Sequence, residues 1–299
     1  MILVFGGNGQ LGRELARAAC SRAIPLRALS HAEADIVDSA AVAAALARWK
    51  PQLVVNAAAY TKVDLAEANV EEARRGNETG PAVLAGACAT AGVPMIHVST
   101  DYVFDGGKQG AYLETDPVRP LNVYGRTKAA GEEAVRRALD RHIILRTAWV
   151  YSEFGENFVK TILRLAATRD ELRVVADQHG SPTSACDIAD AILHIAPSLL
   201  SDPGRSGTYH FTAAGLTTWC GFASRIVAAA APISGRHPRV TPIRTSEYPK
   251  PAKRPANSHL DCRLFVQTFG LSPRPWPEAV EATTKTLLAS SQTAESHVA

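Results

Sequence analysis

The chain has few cysteines for its length, and their placement excludes two classes of protein. The five cysteines are Cys20, Cys88, Cys186, Cys220 and Cys262. No two of them form a Cys-x-x-Cys pair, and the nine histidines form no cluster at metal-ligand spacing. Disulfide-stapled scaffolds and structural zinc sites both depend on such spacings. We therefore expect reduced thiols in a cytoplasmic protein, with no bound metal.

Long apolar runs and a strong excess of charge are also missing. No stretch approaches the roughly 20 apolar residues of a membrane-spanning helix. The net charge of the 299 residues is only +3, whereas a nucleic-acid-binding domain is usually far more basic. The first strand candidate begins at Ile2, so we expect no signal or transit peptide. A membrane and a nucleic acid are therefore not expected partners.

Short apolar runs alternate with alanine-rich helical stretches along most of the chain. The strand candidates are Ile2–Phe5, Ile24–Leu29, Leu53–Asn56, Met95–Ser99, Ile143–Thr147 and Arg173–Ala176. The helical candidates between them are Leu11–Cys20, Ser39–Trp49, Glu67–Ala91, Tyr124–Leu139 and Asn157–Ala167. This alternation predicts the α/β class, with a doubly wound, Rossmann-type parallel sheet. Ligands of such sheets bind beyond the carboxyl ends of the strands.

The later half of the chain is less regular and predicts a second, smaller α+β domain for substrate. We assign residues 1–150, with returning segments near 171–177 and 184–212, to the dinucleotide-binding domain. Residues 151–170 and 213–299 then form the substrate domain. A proline- and base-rich stretch, Arg236–Arg254, excludes helix and central strand and is either a solvated surface or a clamp for an anion. The polar end, Ser290–Ala299, is expected to fray.

A glycine-rich turn follows the first strand candidate directly. Its sequence, Gly6-Gly7-Asn8-Gly9-Gln10-Leu11-Gly12, leads straight into a helical pattern. Glycines let the backbone approach a phosphate closely, and the helix N-terminus offers free N–H groups and the positive end of a dipole. The spacing is Gly-x-x-Gly-x-x-Gly rather than the tighter Gly-x-Gly-x-x-Gly. Its place at the start of a strand–turn–helix unit predicts a dinucleotide pyrophosphate site.

A tyrosine and a lysine lie four residues apart in Tyr124-Gly125-Arg126-Thr127-Lys128. On a helix these two side chains share one face. A nearby ammonium favours the phenolate, so we expect Lys128 to lower the pKa of Tyr124 toward neutral pH. A hydroxyl at the end of the strand before it, from Ser99 or Thr100, can hydrogen-bond a substrate carbonyl. The three groups predict carbonyl reduction.

Eight segments taken together carry a family resemblance that spans nearly the whole chain. They are Gly6–Gly12, Val55–Asp64, His97–Phe104, Pro120–Lys128, Leu145–Tyr151, Asn157–Lys160, Asp177–Thr183 and Arg254–Ser258. With them the chain resembles the extended short-chain dehydrogenase/reductases and, more narrowly, the dTDP-4-dehydrorhamnose reductases. The resemblance implies reduction, with NAD(P)H, of the C4 ketone of dTDP-4-dehydro-L-rhamnose to dTDP-L-rhamnose.

The resemblance also implies a role for individual residues. Tyr124 would be the general acid, Lys128 would tune it and bind the nicotinamide ribose, and Thr100 would orient the carbonyl. Besides Tyr124 and Lys128, the implied cofactor-binding residues are Gly6, Gly9, Gln10, Leu11, Gly12, Ser30, Asp35, Ile36, Ala57, Ala58, Ala59, Thr61 and Val98. The other implied substrate-binding residues are Asp101, Tyr102, Trp149, Asn157, Arg254 and Asn257. Arg254 and Asn257 would face the nucleotide part, since an arginine fork pairs well with phosphate oxygens.

The end of the second strand decides the expected cofactor. An acidic residue there would bind a ribose 2′-hydroxyl and indicate NAD, but Leu29 is followed by Ser30 and His31. Arg13, just after the glycine turn, could face a 2′-phosphate. We therefore expect NADPH, with NADH still accepted. The resemblance also implies a homodimer, which some members of the family form through a metal bridged by glutamates. Glu14 is available for such a site, but Cys186 stands in place of the expected acidic partner, so we predict no metal.

Three other functions stay open from the sequence. Related dehydratases follow the active-site threonine with Asp-Glu, whereas here Thr100-Asp101 is followed by Tyr102. Some relatives are non-catalytic, cofactor-bound regulatory subunits, which the intact Thr100, Tyr124 and Lys128 argue against. A reductase of another dTDP-4-keto-6-deoxy sugar would differ only in the geometry of the sugar pocket.

Overall fold

The computed structural model describes residues 1–296, with side chains through residue 290. It contains twelve strands within that range. They are β1 (Ile2–Phe5), β2 (Leu26–Leu29), β3 (Leu53–Asn56), β4 (Met95–Thr100), β5 (His142–Thr147), β6 (Val150–Tyr151), β7 (Glu171–Val175), β8 (His179–Gly180), β9 (Thr183–Ser184), β10 (Gly207–His210), β11 (Thr217–Thr218) and β12 (Arg239–Ile243).

Six of the strands form one parallel sheet in the order β10-β5-β4-β3-β1-β2. The register pairs Phe5 with Leu29 on one side and with Asn56 on the other. The strand order reverses direction around β1, which creates a crevice at the carboxyl ends of β1 and β3. Ligands of open α/β sheets bind at this kind of crevice. The predicted doubly wound Rossmann-type sheet is confirmed.

Eleven α-helices lie within the described part of the chain. They are α1 (Gln10–Ser21), α2 (Ser39–Trp49), α3 (Val63–Ala66), α4 (Val70–Arg74), α5 (Gly80–Ala91), α6 (Val123–Ala138), α7 (Phe158–Thr168), α8 (Ala185–Ser201), α9 (Trp219–Ser234), α10 (Arg263–Phe269) and α11 (Trp276–Ser296). Several start at a side-chain cap; Asn122, for example, accepts from the backbone N–H of Gly125 at 2.7 Å.

The sheet is covered on both faces, as the uninterrupted burial of β1 requires. Helices α1 and α8 pack on one face, where Leu15 and Ile192 lie in the same apolar core. Helices α2, α5 and α6 pack on the other face, around Val42, Leu84 and Val135. The two apolar faces fix the sheet rigidly and so hold the carboxyl ends of its strands in place.

A third apolar core belongs to a smaller α+β unit. It joins α7, α9 and α11 to β7, with Ile162, Phe222 and Val280 among its buried residues. Strand β12 pairs with β7 in a separate two-stranded parallel sheet. Pro242 is tolerated in β12 because an edge strand does not need every N–H for its ladder.

The structure differs from the sequence-based expectations in three places. Residues 171–177, assigned above to the dinucleotide-binding domain, include β7, which joins the smaller unit instead of the large sheet. The predicted helix Glu67–Ala91 is interrupted by a π-helical turn at Arg75–Thr79. The last helix continues to Ser296, so the fraying expected over Ser290–Ala299 does not begin at Ser290. Residues 297–299 lie outside the described part. The boundary between the two domains otherwise stays a prediction.

Two predicted absences can be compared with the described residues. All five cysteines are unpaired; Cys88 is buried and Cys20 is exposed. None of the described helices is long and apolar enough to cross a bilayer.

Candidate active site

The predicted catalytic residues meet at the carboxyl edge of the large sheet. Thr100 is the last residue of β4, and Tyr124 and Lys128 lie on the first turns of α6. The Asn122 side chain both caps α6 and donates to the carbonyl of Lys253, 2.8 Å away, in the proline-rich segment. The start of α6 is therefore fixed to β4 on one side and to the proline-rich segment on the other.

The structure decides between the two candidate hydroxyls of β4. Ser99 donates to the Glu132 carboxylate at 2.5 Å, on the buried side of the sheet edge. The Thr100 hydroxyl instead lies beside the Tyr124 phenol, close enough to lower the pKa of that phenol. It also donates to the Asp101 carboxylate at 2.9 Å and accepts from the backbone N–H of Tyr102 at 3.2 Å. Thr100 is therefore the hydroxyl that lies beside the predicted proton donor.

The pKa of Tyr124 shifts in the direction opposite to the one expected. Burial is the main cause that raises the pKa of its phenol to about 12. The nearby Asp101 carboxylate acts in the same direction, and the Thr100 hydroxyl acts to lower this pKa. Lys128 makes no hydrogen bond to the phenol; its Nζ donates to the carbonyl of Val98 at 2.7 Å. Tyr124 is thus a fully protonated phenol at neutral pH, ready to donate.

Lys128 is held in an unusual environment for a lysine. The side chain is almost fully buried, and burial lowers the pKa of its ammonium to about 8, while the Glu132 carboxylate acts to raise it. Lys128 therefore stays mostly charged at neutral pH but titrates close to it. Through this hydrogen bond with Lys128, the carbonyl of Val98, a predicted cofactor residue, becomes part of the site.

A buried ion pair beneath Lys128 was not found from the sequence. The Arg146 guanidinium donates two hydrogen bonds, of 2.9 and 2.7 Å, to the Glu132 carboxylate, and both side chains are at most 2% exposed. Arg136 adds a third contact to the same carboxylate at 2.8 Å. Burial opposes the charge, but the Arg146 fork and the Ser99 hydroxyl lower the pKa of Glu132 to about 2. The buried, charge-paired cluster of Glu132, Arg146 and Arg136 therefore forms the floor of the site.

The glycine-rich turn lies at the mouth of a cavity of about 470 Å³. The predicted cofactor residues in its lining are Gly6, Gly9, Asp35, Ile36, Ala57, Ala58 and Ala59. Gln10, Leu11, Gly12, Ser30, Thr61 and Val98 are not among the lining residues. The sequence analysis missed several of the residues that are: Asn8, His31, Ala34, Val37, Tyr60, Glu72, Arg75 and Gly76.

Two of the glycines are required by close backbone approach. Gly6 has φ of +90°, and a Cβ there would lie 2.6 Å from the backbone nitrogen of Ala58. A Cβ at Gly12 would lie 2.3 Å from the carbonyl oxygen of Gly6. The turn therefore packs tightly onto both β3 and α1 and leaves its outer backbone edge open to the cavity, as a pyrophosphate cradle requires.

The end of β2 is arranged differently from the prediction. Glu33 accepts from both the backbone N–H and the hydroxyl of Ser30, each at 2.8 Å, and forms an ion pair with Arg27. Ser30 and Glu33 thus form a capping-box arrangement, and the Ser30 hydroxyl is engaged. Arg13 lies over the ring of Phe154, 4.1 Å from its centroid, rather than in the cavity lining.

The predicted substrate residues on the proline-rich segment are held by internal contacts. Arg254 forms a two-pronged ion pair with Asp64, with distances of 3.0 and 2.9 Å. The Tyr102 phenol lies close enough to Arg254 to raise the pKa of the guanidinium, and the Tyr102 ring meets Tyr124 edge-on with centroids 5.6 Å apart. Asn257 donates to the carbonyls of two residues in the 108–110 loop. Arg254 thus borders the site, whereas Asn257 holds a loop.

The remaining substrate candidates lie on the side of the smaller unit. Trp149 adopts a left-handed backbone with φ of +48°, which is uncommon for a bulky residue. Its indole stacks on Trp219, with centroids 3.7 Å apart, and the sequence analysis had not identified Trp219. Asn157 caps α7 and donates to Gln10 at 3.0 Å. Asn157 therefore links the smaller unit to the start of α1.

Within residues 1–290, no cluster of three or more His, Cys, Asp or Glu side chains forms a candidate metal site. Glu14 is buried, and its nearest cation is Arg17, 2.6 Å away. The expectation of no bound metal stays a prediction.

Comparison with known proteins identifies the family. The family model described as the RmlD substrate binding domain matches residues 1–289. The chain belongs to this family. It is 44% identical to the dTDP-4-dehydrorhamnose reductase of Sinorhizobium fredii, over 93% of this chain and 94% of that protein.

Solved structures named as dTDP-4-dehydrorhamnose reductases are similar to this RmlD-family chain. The one from Clostridium acetobutylicum is 38% identical with a TM-score of 0.89, over 96% of this chain and 99% of that one. The one from Bacillus anthracis, in complex with NADP, is 33% identical with a TM-score of 0.87, over 94% and 97%. The resemblance inferred from sequence segments is confirmed.

Proposed function

We propose that this RmlD-family protein reduces the C4 ketone of dTDP-4-dehydro-L-rhamnose to dTDP-L-rhamnose with NADPH. The observation that carries the proposal is the meeting of Tyr124, Thr100 and Lys128 at the carboxyl edge of the sheet. These three groups lie on the same sheet edge as the glycine cradle. The names and high coverage of the similar reductases support the same substrate.

The cradle fits a dinucleotide. The close packing of Gly6 and Gly12 leaves a backbone edge for the pyrophosphate, and the small side chains Ala57–Ala59 leave room above β3. NADPH supplies the hydride when bound. The NADP complex of the similar Bacillus anthracis protein supports NADPH as the cofactor. We keep NADH as an accepted alternative because Glu33, next to Ser30, disfavours a 2′-phosphate.

The residues of the chain donate the proton and position the cofactor and the substrate. Tyr124 gives its proton to the C4 oxygen as negative charge develops there, and its raised pKa keeps that proton available before the reaction. Lys128 carries a positive charge on the same helix face and binds the ribose. Thr100 orients the carbonyl, Asp101, Tyr102 and Trp149 shape the sugar pocket, and Arg254 faces the diphosphate.

The alternatives are disfavoured by specific residues. Elimination of water needs an acid–base pair after the threonine, and Tyr102 occupies that position with a phenol whose pKa is raised by burial. A purely regulatory, cofactor-bound role would not require Thr100 to lie beside the Tyr124 phenol. Reduction of another dTDP-4-keto-6-deoxy sugar is the second candidate. We further propose a cytoplasmic location and a homodimer; sedimentation velocity tests the homodimer.

The test is steady-state oxidation of NADPH with dTDP-4-dehydro-L-rhamnose, with the product compared with authentic dTDP-L-rhamnose. Tyr124→Phe is expected to lose about 10²–10⁴-fold in kcat, the usual contribution of general acid catalysis. NADPH binding, measured by fluorescence titration, is expected to stay within about twofold because the phenol oxygen is not part of the cradle. A Tyr124→Phe variant that keeps more than about a tenth of wild-type kcat would refute the assignment.

A further inference from the structure

The Thr100 hydroxyl has one hydrogen and three candidate acceptors. In the structure that hydrogen points to the Asp101 carboxylate at 2.9 Å. The Tyr124 phenolate and the substrate carbonyl are the other acceptors, because Thr100 is the hydroxyl next to Tyr124. The backbone N–H of Tyr102 already occupies one acceptor position on the Thr100 oxygen. Thr100 therefore cannot donate to the carbonyl while it donates to an ionised Asp101.

We propose that Asp101 is a positioning residue whose protonation state sets the direction of the Thr100 hydroxyl. When Asp101 is ionised, it accepts the Thr100 hydrogen. When Asp101 takes up one proton from solvent, its own O–H donates to the Thr100 oxygen, and the Thr100 hydrogen turns to the C4 oxygen. The proton on Asp101 is not consumed, because the proton added to the product comes from Tyr124.

The surroundings of Asp101 make both states accessible near neutral pH. Asp101 is only 2% exposed, and its second carboxylate oxygen has no hydrogen-bond partner within the described residues. Burial raises the pKa of Asp101 to about 6, while the nearby Ser258 and Thr100 side chains and the backbone N–H groups of Asp101 and Tyr102 act to lower it. A proton on Oδ1, the oxygen that lies 2.9 Å from Thr100, converts this atom from the acceptor of the Thr100 hydrogen into a donor to the Thr100 oxygen.

The charged and titratable groups around Asp101 keep a single protonation state near neutral pH. Tyr102 and Tyr124 face it from the adjoining turn and from α6, and the pKa of each phenol is raised by burial, so both stay neutral. Arg254 and Asp64 lie beyond Tyr102, where their charges pair with each other. Asp101 is therefore the group of this set that titrates between pH 5 and 8.

The role rests on the proposed reductase activity, and its test is the pH dependence of kcat/KM. The wild type is expected to lose about tenfold in kcat/KM for each pH unit above the pKa of Asp101, because one proton must be bound. Asp101→Asn removes this limb, since the amide N–H donates to Thr100 at every pH. A second, higher limb near pH 8, where Lys128 loses its charge, is expected in both proteins.

Ser258→Ala provides a second variant that leaves the carboxylate in place. The Ser258 side chain acts to lower the pKa of Asp101, so its removal is expected to raise that pKa and to move the lower limb to higher pH. A residue that only contacts the sugar or supports the fold would change the level of kcat/KM and leave both limbs where they are. NADPH titration of each variant checks that the cradle is intact.

The outcomes separate this role from the proposed function. If the wild type reduces the keto sugar and the lower limb is identical in the wild type, Asp101→Asn and Ser258→Ala, the positioning role is refuted and the reductase stands. If the wild type oxidises no NADPH with the keto sugar at any pH, the proposed function fails, and the role of Asp101 fails with it.

Discussion

Replacing Gly125 by alanine tests whether the catalytic geometry depends on a single close contact. Gly125 follows Tyr124 on α6, and its Cα faces the backbone that follows Thr100. A Cβ at Gly125 would lie 2.2 Å from the carbonyl oxygen of Tyr102 and 2.9 Å from the Cβ of Pro120. Both neighbours are rigid, so α6 has to move away from β4 by roughly 1 Å to restore an ordinary contact distance.

The expected consequence is a large loss of rate with a moderate loss of stability. A misplacement of about 1 Å between reacting groups costs on the order of 10²-fold in rate, because Tyr124 no longer meets the carbonyl that Thr100 orients. Overpacking of this kind costs about 1–3 kcal/mol in the free energy of unfolding. Steady-state kinetics and urea denaturation measure the two effects, and the affinity for NADPH is expected to change little because Gly125 lies outside the cavity lining.

Gly86→Ala is the matched control. Gly86 lies inside α5, and a Cβ there meets nothing within 4 Å. The change is expected to stabilise the protein by about 0.5–1 kcal/mol, as a helix-interior glycine-to-alanine exchange usually does, and to leave kcat unchanged. If Gly125→Ala keeps kcat within about threefold of the wild type, α6 tolerates the shift and the close contact does not set the geometry.

Three further changes test the cofactor and substrate contacts. Lys128→Met is expected to remove the alkaline limb near pH 8 from the pH–rate profile and to raise KM for NADPH; an unchanged profile would leave Lys128 with ribose binding alone. Arg254→Ala is expected to weaken dTDP binding roughly 10–150-fold by calorimetry. Asp64→Asn is expected to strengthen dTDP binding because it releases the Arg254 guanidinium from its ion pair. The two variants must therefore change the dTDP affinity in opposite directions; a change in the same direction would contradict the role of Arg254. Wild-type kcat/KM should favour NADPH modestly, and Ser30→Asp should reverse this by repelling the 2′-phosphate; a wild-type preference for NADH would contradict the assignment.

Features encoded by neighbouring residues could be predicted from the sequence. The apolar run of β1 and the glycines after it are contiguous, so strand, turn and helix start followed directly. The four-residue spacing of Tyr124 and Lys128 fixed their shared helix face in the same way. Their meeting with Thr100 followed from the rule that carboxyl ends of parallel strands share one edge.

Features that depend on burial or on distant pairing could not be predicted. The expected lowering of the Tyr124 pKa considered only a nearby charge, whereas burial by the surrounding fold is the larger effect and has the opposite sign. The partners Arg254 and Asp64 lie 190 residues apart in the chain, and no local pattern links them.

One missed feature did have a local signal. Ser30 and Glu33 have the Ser-x-x-Glu spacing of a capping box, in which the serine hydroxyl and the glutamate carboxylate bind each other's backbone N–H. Ser30 was predicted to bind the cofactor because no acid directly follows β2. The acid three residues later folds back to the same place.

The buried floor of the site explains how a lysine can be kept charged away from water. Lys128 lies next to Glu132, whose carboxylate receives four hydrogen bonds from Ser99, Arg146 and Arg136. Such a carboxylate stays ionised, and its field offsets part of the desolvation of the ammonium. Burial outweighs that field, so the pKa of Lys128 remains near 8 rather than returning to its value in water. Removing Glu132 would leave buried cations without a counter-charge, so the floor has to be retained as a unit.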